Sequence, residues 1–240
     1  MIKRIKQFIS DNKTRQQKII SQNDELIWAS VFYDSIKGIK GVENLPLNIG
    51  RWAGGYPFFY VLNRILKDYQ PKKILEFGLG ESSKFISTYL QHHLLESEHI
   101  IIEQDGKWKV NFQTNFVLSP RSDVYELPLI KKKYKEFEYN GYENIENTIV
   151  TKFDLYIVDG PFGSPNYSRF DIVGLADILS NQDEFILIMD DYNRNGEKET
   201  VEVLLSLLKS KNVNIYTAKY SGVKSLFVIA TEKYKYVTSL

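Results

Sequence analysis

The chain contains no cysteine. Disulfides, thiolate metal sites and a cysteine nucleophile are thereby excluded, and so are small secreted scaffolds stapled by disulfides. Histidine is scarce, with three residues in the whole sequence. Long apolar runs are missing as well. The opening MIKRIKQFISDNKTRQQKII is basic, but its apolar positions are broken every few residues, so it forms neither a signal-peptide core nor a membrane span. Charge of one sign is also lacking: 31 lysines and arginines face 30 aspartates and glutamates, a formal net charge of +1. No global field favours nucleic acid or an anionic membrane, which leaves only local patches. The default expectation is a cytoplasmic protein without a nucleic-acid partner.

What is present is a chain of 240 residues, 43% hydrophobic and 25% charged, long enough for one α/β core plus an extension. The stretch Lys73 to Ser83, KILEFGLGESS, organises the rest. Ile74, Leu75 and Phe77 have strand character; Glu76, Gly78 and Gly80 form a turn; Glu81, Ser82 and Ser83 lead into a helical pattern. Glycines at such a turn let the main chain approach a ligand closely. Ser83 stands where the third glycine of a dinucleotide fingerprint would fall, so the pyrophosphate-binding form fits poorly. By itself a G-x-G turn is equally compatible with a plain structural connection.

Upstream, apolar positions at helical intervals from Ile2 to about Ile39 predict two amphipathic helices that cover the sheet or a partner subunit. The basic residues among them read as a solvated face. Asn44 to Tyr56 is a loop rich in Gly, Pro and Asn that carries Arg51 and Trp52; it is either a lid or a connector before a helix from Pro57 to Tyr69. We therefore divide the chain into an extension with this loop, residues 1–56, and a main domain, residues 57–240. Downstream, Ser82 to Leu95 is helical and His99 to Glu103 is a buried strand ending on an acid, placed to bind a ribose, with Trp108 close enough to flank an adenine. Ser122 to Ile130 reads as a third strand, followed by a polar, aromatic insertion without a clear placement; its Lys131 to Lys133 read as solvated surface. Phe153 to Gly160 and Glu184 to Asp190 are buried strands whose apolar runs stop at Asp159 and at Asp190 and Asp191, and two final strands are joined at Ser221, Gly222 and Val223 as a hairpin.

Ligands of an open parallel sheet bind beyond the carboxyl ends of its strands. Glu76, Gly78, Gly80, Glu103, Asp159, Asp190 and Asp191 lie at such ends, whereas all three histidines are expected near the opposite edge. A general base would then be a carboxylate or a lysine. Asp159, Asp190 and Asp191 also offer hard oxygen ligands suited to Mg²⁺ or Mn²⁺. The alternative is that Asp190 caps the following turn while Asp191 pairs with Arg194.

The segment ExGxG after the first strand resembles motif I of class I S-adenosylmethionine-dependent methyltransferases. GLG followed by Ser, IIIEQDGKW, and FDLYIVDGPFG with Arg169 downstream resemble, more narrowly, the glucuronoxylan 4-O-methyltransferase family and bacterial methyltransferases associated with surface polysaccharides. The resemblance covers roughly Ile74 to Leu208 and departs from the plant form in the Asp-Asp-Tyr-Asn after the fifth strand. It implies a Rossmann-like, doubly wound fold with a seven-stranded sheet of order 3-2-1-4-5-7-6, and S-adenosylmethionine as cofactor. Glu76, Gly78, Gly80, Glu81, Ser82, Ser83, Glu103, Trp108 and Asp159 would hold the cofactor. Asp159, Asp190 and Asp191 would orient or activate the acceptor, with or without a divalent cation. Arg51, Trp52 and Arg169 would contact a saccharide or similar hydroxylated acceptor. The competing expectations are a metal-dependent catechol-type O-methyltransferase and a non-catalytic binding module of the same fold. The oligomeric state is open, a homodimer included.

Overall fold

The computed structural model describes residues 2–240. Its elements in chain order are α1 (Ile2–Ile36), α2 (Tyr56–Arg64) running into a π turn (Ile65–Tyr69), β1 (Lys73–Phe77), α3 (Glu81–His92), β2 (Glu98–Glu103) and α4 (Gly106–Asn115). Then follow β3 (Ser122–Glu126), β4 (Leu129–Tyr134), β5 (Phe137–Tyr142), α5 (Ile145–Thr148), β6 (Leu155–Val158) and α6 (Asp171–Ala176). The chain continues through β7 (Ile186–Met189), α7 (Asn195–Ser210), β8 (Tyr216–Ser221) and β9 (Ser225–Ala230) to a closing 3-10 helix (Glu232–Ser239).

Seven strands form one sheet in the order β3-β2-β1-β6-β7-β9-β8, all running in one direction except β9, which is antiparallel to both of its neighbours. Leaving out the separate β4–β5 hairpin and counting the remaining strands in chain order, this is 3-2-1-4-5-7-6, as expected. The central strands are apolar on both faces because helices cover both. Ile74, Leu155, Ile157, Ile186 and Ile188 pack in one core with α1, α2 and α3; Leu75, Phe77, Tyr156, Val158, Leu187 and Met189 pack in the other with α6 and α7.

Three expectations are corrected. The N-terminal region is one helix of 35 residues and not two, since no Gly or Pro interrupts Ile2 to Ile36. Its second half docks through Phe32 and Ile36, both buried, and through Glu25, whose carboxylate accepts the Tyr56 and Val223 amides at 2.7 and 2.8 Å. The expected third strand, Ser122 to Ile130, divides at Leu127 and Pro128: β3 pairs with β2, while β4 begins the antiparallel β4–β5 hairpin that the unplaced insertion forms. Of the three lysines on β4, Lys132 is not solvated. Its Nζ lies 2.9 Å from the buried Asp171 and 3.0 Å from Glu146.

Candidate active site

The turn after β1 is held in place by the neighbouring strand ends. The Gly78 amide donates to Ile102 O at 2.8 Å, and the Asp159 amide donates to Phe77 O at 3.2 Å. Gly78 has φ of 95°, in the left-handed region that favours glycine. Gly160 permits a close approach: a Cβ there would stand 2.6 Å from Tyr142 Oη and 2.9 Å from Gly78 N. Gly80 is different, because a Cβ built on it meets no atom of the described residues within 4 Å. Open space therefore lies directly over the turn.

Below the turn, Glu76 is fully buried. Its Oε2 accepts the Ser83 hydroxyl at 2.7 Å, and Ser83 Oγ accepts the Gly80 amide at 3.0 Å. The second oxygen, Oε1, has no hydrogen-bond partner among the described residues. Glu103 bridges β2 to the turn: it accepts the Leu79 amide at 2.9 Å, and the Gln104 and Asp105 amides at 2.9 and 2.8 Å. A carboxylate has about four lone-pair sites, so about one remains. Burial raises the Glu103 carboxyl above its usual range, and the three amides only partly oppose this. Trp108, 43% exposed, donates its indole N–H to Leu79 O at 2.7 Å and thus stands beside the turn. Asp105 caps α4 by accepting the Lys107 and Trp108 amides. Ser82 lies buried in the first turn of α3. Glu81 accepts the Asn48 amide at 3.0 Å and pairs with Lys84, which ties the 44–55 loop to the first turn of α3. At its other end that loop accepts Lys224 Nζ at Ala53 O, 3.0 Å away. Arg51 and Trp52 occupy the loop's exposed tip, Trp52 at 95% exposure.

The strand ends of β6 and β7 bring Asp159, Asp190 and Asp191 together, with one carboxylate oxygen of each within 4.8 Å of the others. Arg169, buried, holds this cluster. Its Nη2 lies 3.2 Å from Asp159 and 2.9 Å from Asp191, and its Nη1 donates to Val158 O and Asp190 O. Asp191 also pairs with Arg194 at 3.1 Å and Lys224 at 3.3 Å, and buried Glu197 lies 3.8 Å from both arginines. Four carboxylates thus face three cations, which leaves an excess negative charge. The charge is distributed accordingly. Burial first, and then Asp190, hold Asp159 well above the usual carboxylate range in spite of Arg169; burial and Asp191 likewise raise Asp190. Burial also acts to raise Asp191, but Arg169, Lys224 and Arg194 outweigh it and hold that carboxyl below its usual range. Asp159 keeps 20% of its side-chain exposure, against 4% for Asp191, and is the more accessible acid of this pair. Arg169 and Asp191 both have left-handed backbones, with φ of 59° and 56°. Such conformations cost about 1–3 kcal/mol each and persist where surrounding contacts fix them.

Three participants were not legible in the sequence. Lys224 enters from the β8–β9 hairpin: β9 runs antiparallel to β7, so its beginning and not its end lies at this edge. Tyr142, from the end of the hairpin insertion, stands against Gly160. His99 is expected far from the site, yet its Nε2 lies 3.0 Å from Glu76 Oε2, both side chains fully buried. Glu76 pairs with Ile101 across the strands, which makes His99 its diagonal neighbour on the same face. His92 and His93 stand outside this arrangement, beside Gly41 and Lys40.

No family model matches the sequence, and no curated protein matches it. Solved structures do resemble the fold. The O-methyltransferase TomG from Streptomyces achromogenes, in complex with SAM, is 14% identical with a TM-score of 0.53, over 85% of this chain and 89% of that one. The O-methyltransferase from Bacillus cereus, in complex with SAH, is 15% identical with a TM-score of 0.51, over 84% of this chain and 91% of that one. At such identities the likeness concerns architecture: the chain has the Rossmann-like fold of these methyltransferases.

Proposed function

We propose that the protein is an S-adenosylmethionine-dependent O-methyltransferase acting on a hydroxyl of a saccharide or similar small acceptor. The observation that carries this reading is the open space over Gly80, bordered by Glu103 and Trp108 and adjoined by the strand end that bears Asp159. The cofactor fits this donor set. The remaining lone pair of Glu103 suits a ribose hydroxyl, the Trp108 ring an adenine, and the unpartnered Glu76 Oε1 an ammonium group. When bound, S-adenosylmethionine supplies a sulfonium methyl that is already electrophilic. The protein's task is then alignment of the acceptor and removal of its proton. Asp159 is suited to accept that proton. It is partly exposed, and its raised affinity for protons makes it a stronger base than an ordinary carboxylate once ionised. Asp190 and Asp191 adjust its charge, and Arg169 positions it. Trp52 at 95% exposure and Phe162 at 64% provide aromatic faces for a ring-shaped acceptor, on loops rooted near Glu81 and Asp159.

A divalent cation on Asp159, Asp190 and Asp191 is the second reading, favoured by the spacing of their oxygens. Arg169 opposes it, because its guanidinium already supplies positive charge to Asp159 and Asp191. The test is transfer of labelled methyl groups to uronic-acid glycans and to catechols, with and without a chelator. Transfer to glycans unchanged by chelation is expected. Transfer to catechols that stops on chelation would favour the metal-dependent enzyme. Cofactor binding without transfer to any acceptor would leave the non-catalytic module.

A further inference from the structure

The first half of α1 stands apart from the domain. Between residues 3 and 20 every side chain is exposed except that of Asn12, which is half-buried, and at about 1.5 Å per residue this length of helix spans about 27 Å. Glu25, Trp28, Phe32 and Ile36 turn the second half's inner face to the domain, with Trp28 donating to Ser221 O at 3.1 Å. At about 3.6 residues per turn, the face turned away carries an apolar stripe that Asn12, Gln16 and Asn23 interrupt. It runs through Ile5, Phe8, Ile9, Ile19, Leu26 and Ile27, each between 51% and 69% exposed. On the same projection Arg4 and Arg15 border the stripe on one side, and Lys6 and Lys13 on the other. From Lys3 to Ile20 there are six basic residues and one acid, Asp11.

We propose that this half of α1 is an interfacial anchor, lying with its apolar stripe in the headgroup region of an anionic lipid surface. A helix that is apolar along one side and edged by Lys and Arg on both flanks buries that side about 5–10 Å deep while its cations meet lipid phosphates. The near-neutral total charge of the chain does not oppose this, since the positive charge is concentrated where the stripe is. A second copy is a poorer complement. Side-by-side pairing of the first halves sets like charges together. Antiparallel pairing along the whole helix would offer Asp24, Glu25 and Asp34; of these, Glu25 is taken by the Tyr56 and Val223 amides and Asp34 by Lys37 at 2.7 Å.

The test is co-sedimentation of the full chain with mixed phosphatidylglycerol–phosphatidylcholine vesicles and with phosphatidylcholine vesicles, alongside light scattering of the protein alone. Binding to the anionic vesicles only, weakened by salt, is expected. The double substitution Phe8→Glu with Ile9→Glu, and separately Lys6→Glu with Lys13→Glu, should each lower the partition coefficient by about tenfold or more. Both variants should retain wild-type titration with S-adenosylhomocysteine and a wild-type unfolding curve, because these residues lie outside the folded core. Absence of binding to anionic vesicles would overturn the proposal. So would a dimer in solution that Phe8→Glu dissociates without any vesicle binding, which would assign the stripe to self-association.

Discussion

Replacement of Arg169 by methionine is expected to destabilise the protein by about 3–5 kcal/mol, the range found when one partner of a buried ion pair is removed. The guanidinium contacts Asp159 and Asp191 within 3.2 Å and satisfies two strand-end carbonyls. Its loss leaves Asp159, Asp190, Asp191 and Glu197 close together with only Arg194 and Lys224 as compensating charge. Urea unfolding of the variant measures the effect. Adding Asp191→Asn to Arg169→Met should recover part of the loss, because it removes one of the stranded charges. A variant within about 1 kcal/mol of wild type, typical of an exposed pair, would contradict the central place given to this arginine.

The second large effect is on rate. Asp159→Asn is expected to lower kcat by about 10²- to 10⁴-fold, the usual contribution of a positioned general base. Binding of S-adenosylhomocysteine should change much less, since the open space over Gly80, Glu103 and Trp108 all stay in place. Single-turnover methyl transfer measured beside calorimetric binding separates the two. Equal losses in binding and rate would make Asp159 a cofactor residue, and full activity would remove the catalytic assignment and favour the binding module.

Much of this was legible before any coordinate. The apolar runs ending at Phe77, Glu103, Asp159 and Asp190, each followed by turn or helix signals, determine a parallel sheet and the edge at which its polar residues gather. The final hairpin, marked by Ser221, Gly222 and Val223, separates this order from that of an ordinary dinucleotide-binding domain. Pro128 also carried a usable signal, because a proline cannot donate to a ladder and so marks the point where Ser122 to Ile130 divides between two sheets. Other features depend on register and on charges distant in sequence. His99 meets Glu76 only through the pairing of β1 with β2. Arg169 looks in sequence like a loop arginine ready for an acidic acceptor, and Lys224 like an exposed hairpin lysine; both become counter-ions to the aspartates once the strand ends converge. Likewise the helical spacing in the first 36 residues identifies an amphipathic helix, but only the docked side of α1 shows that the apolar stripe faces outward.

The central claim is that the space over the turn is a cofactor seat, and Gly80 offers a direct way to close it. Its φ of −166° lies outside the left-handed region, and a Cβ there meets no atom of the described residues within 4 Å. Gly80→Val should therefore leave the unfolding curve unchanged while filling the space. The measurement is calorimetric titration of S-adenosylhomocysteine into wild-type and Gly80→Val protein. Saturable one-site binding to the wild type, abolished in the variant, is the predicted result. No binding to the wild type, or equal affinity in the two proteins, would contradict the account.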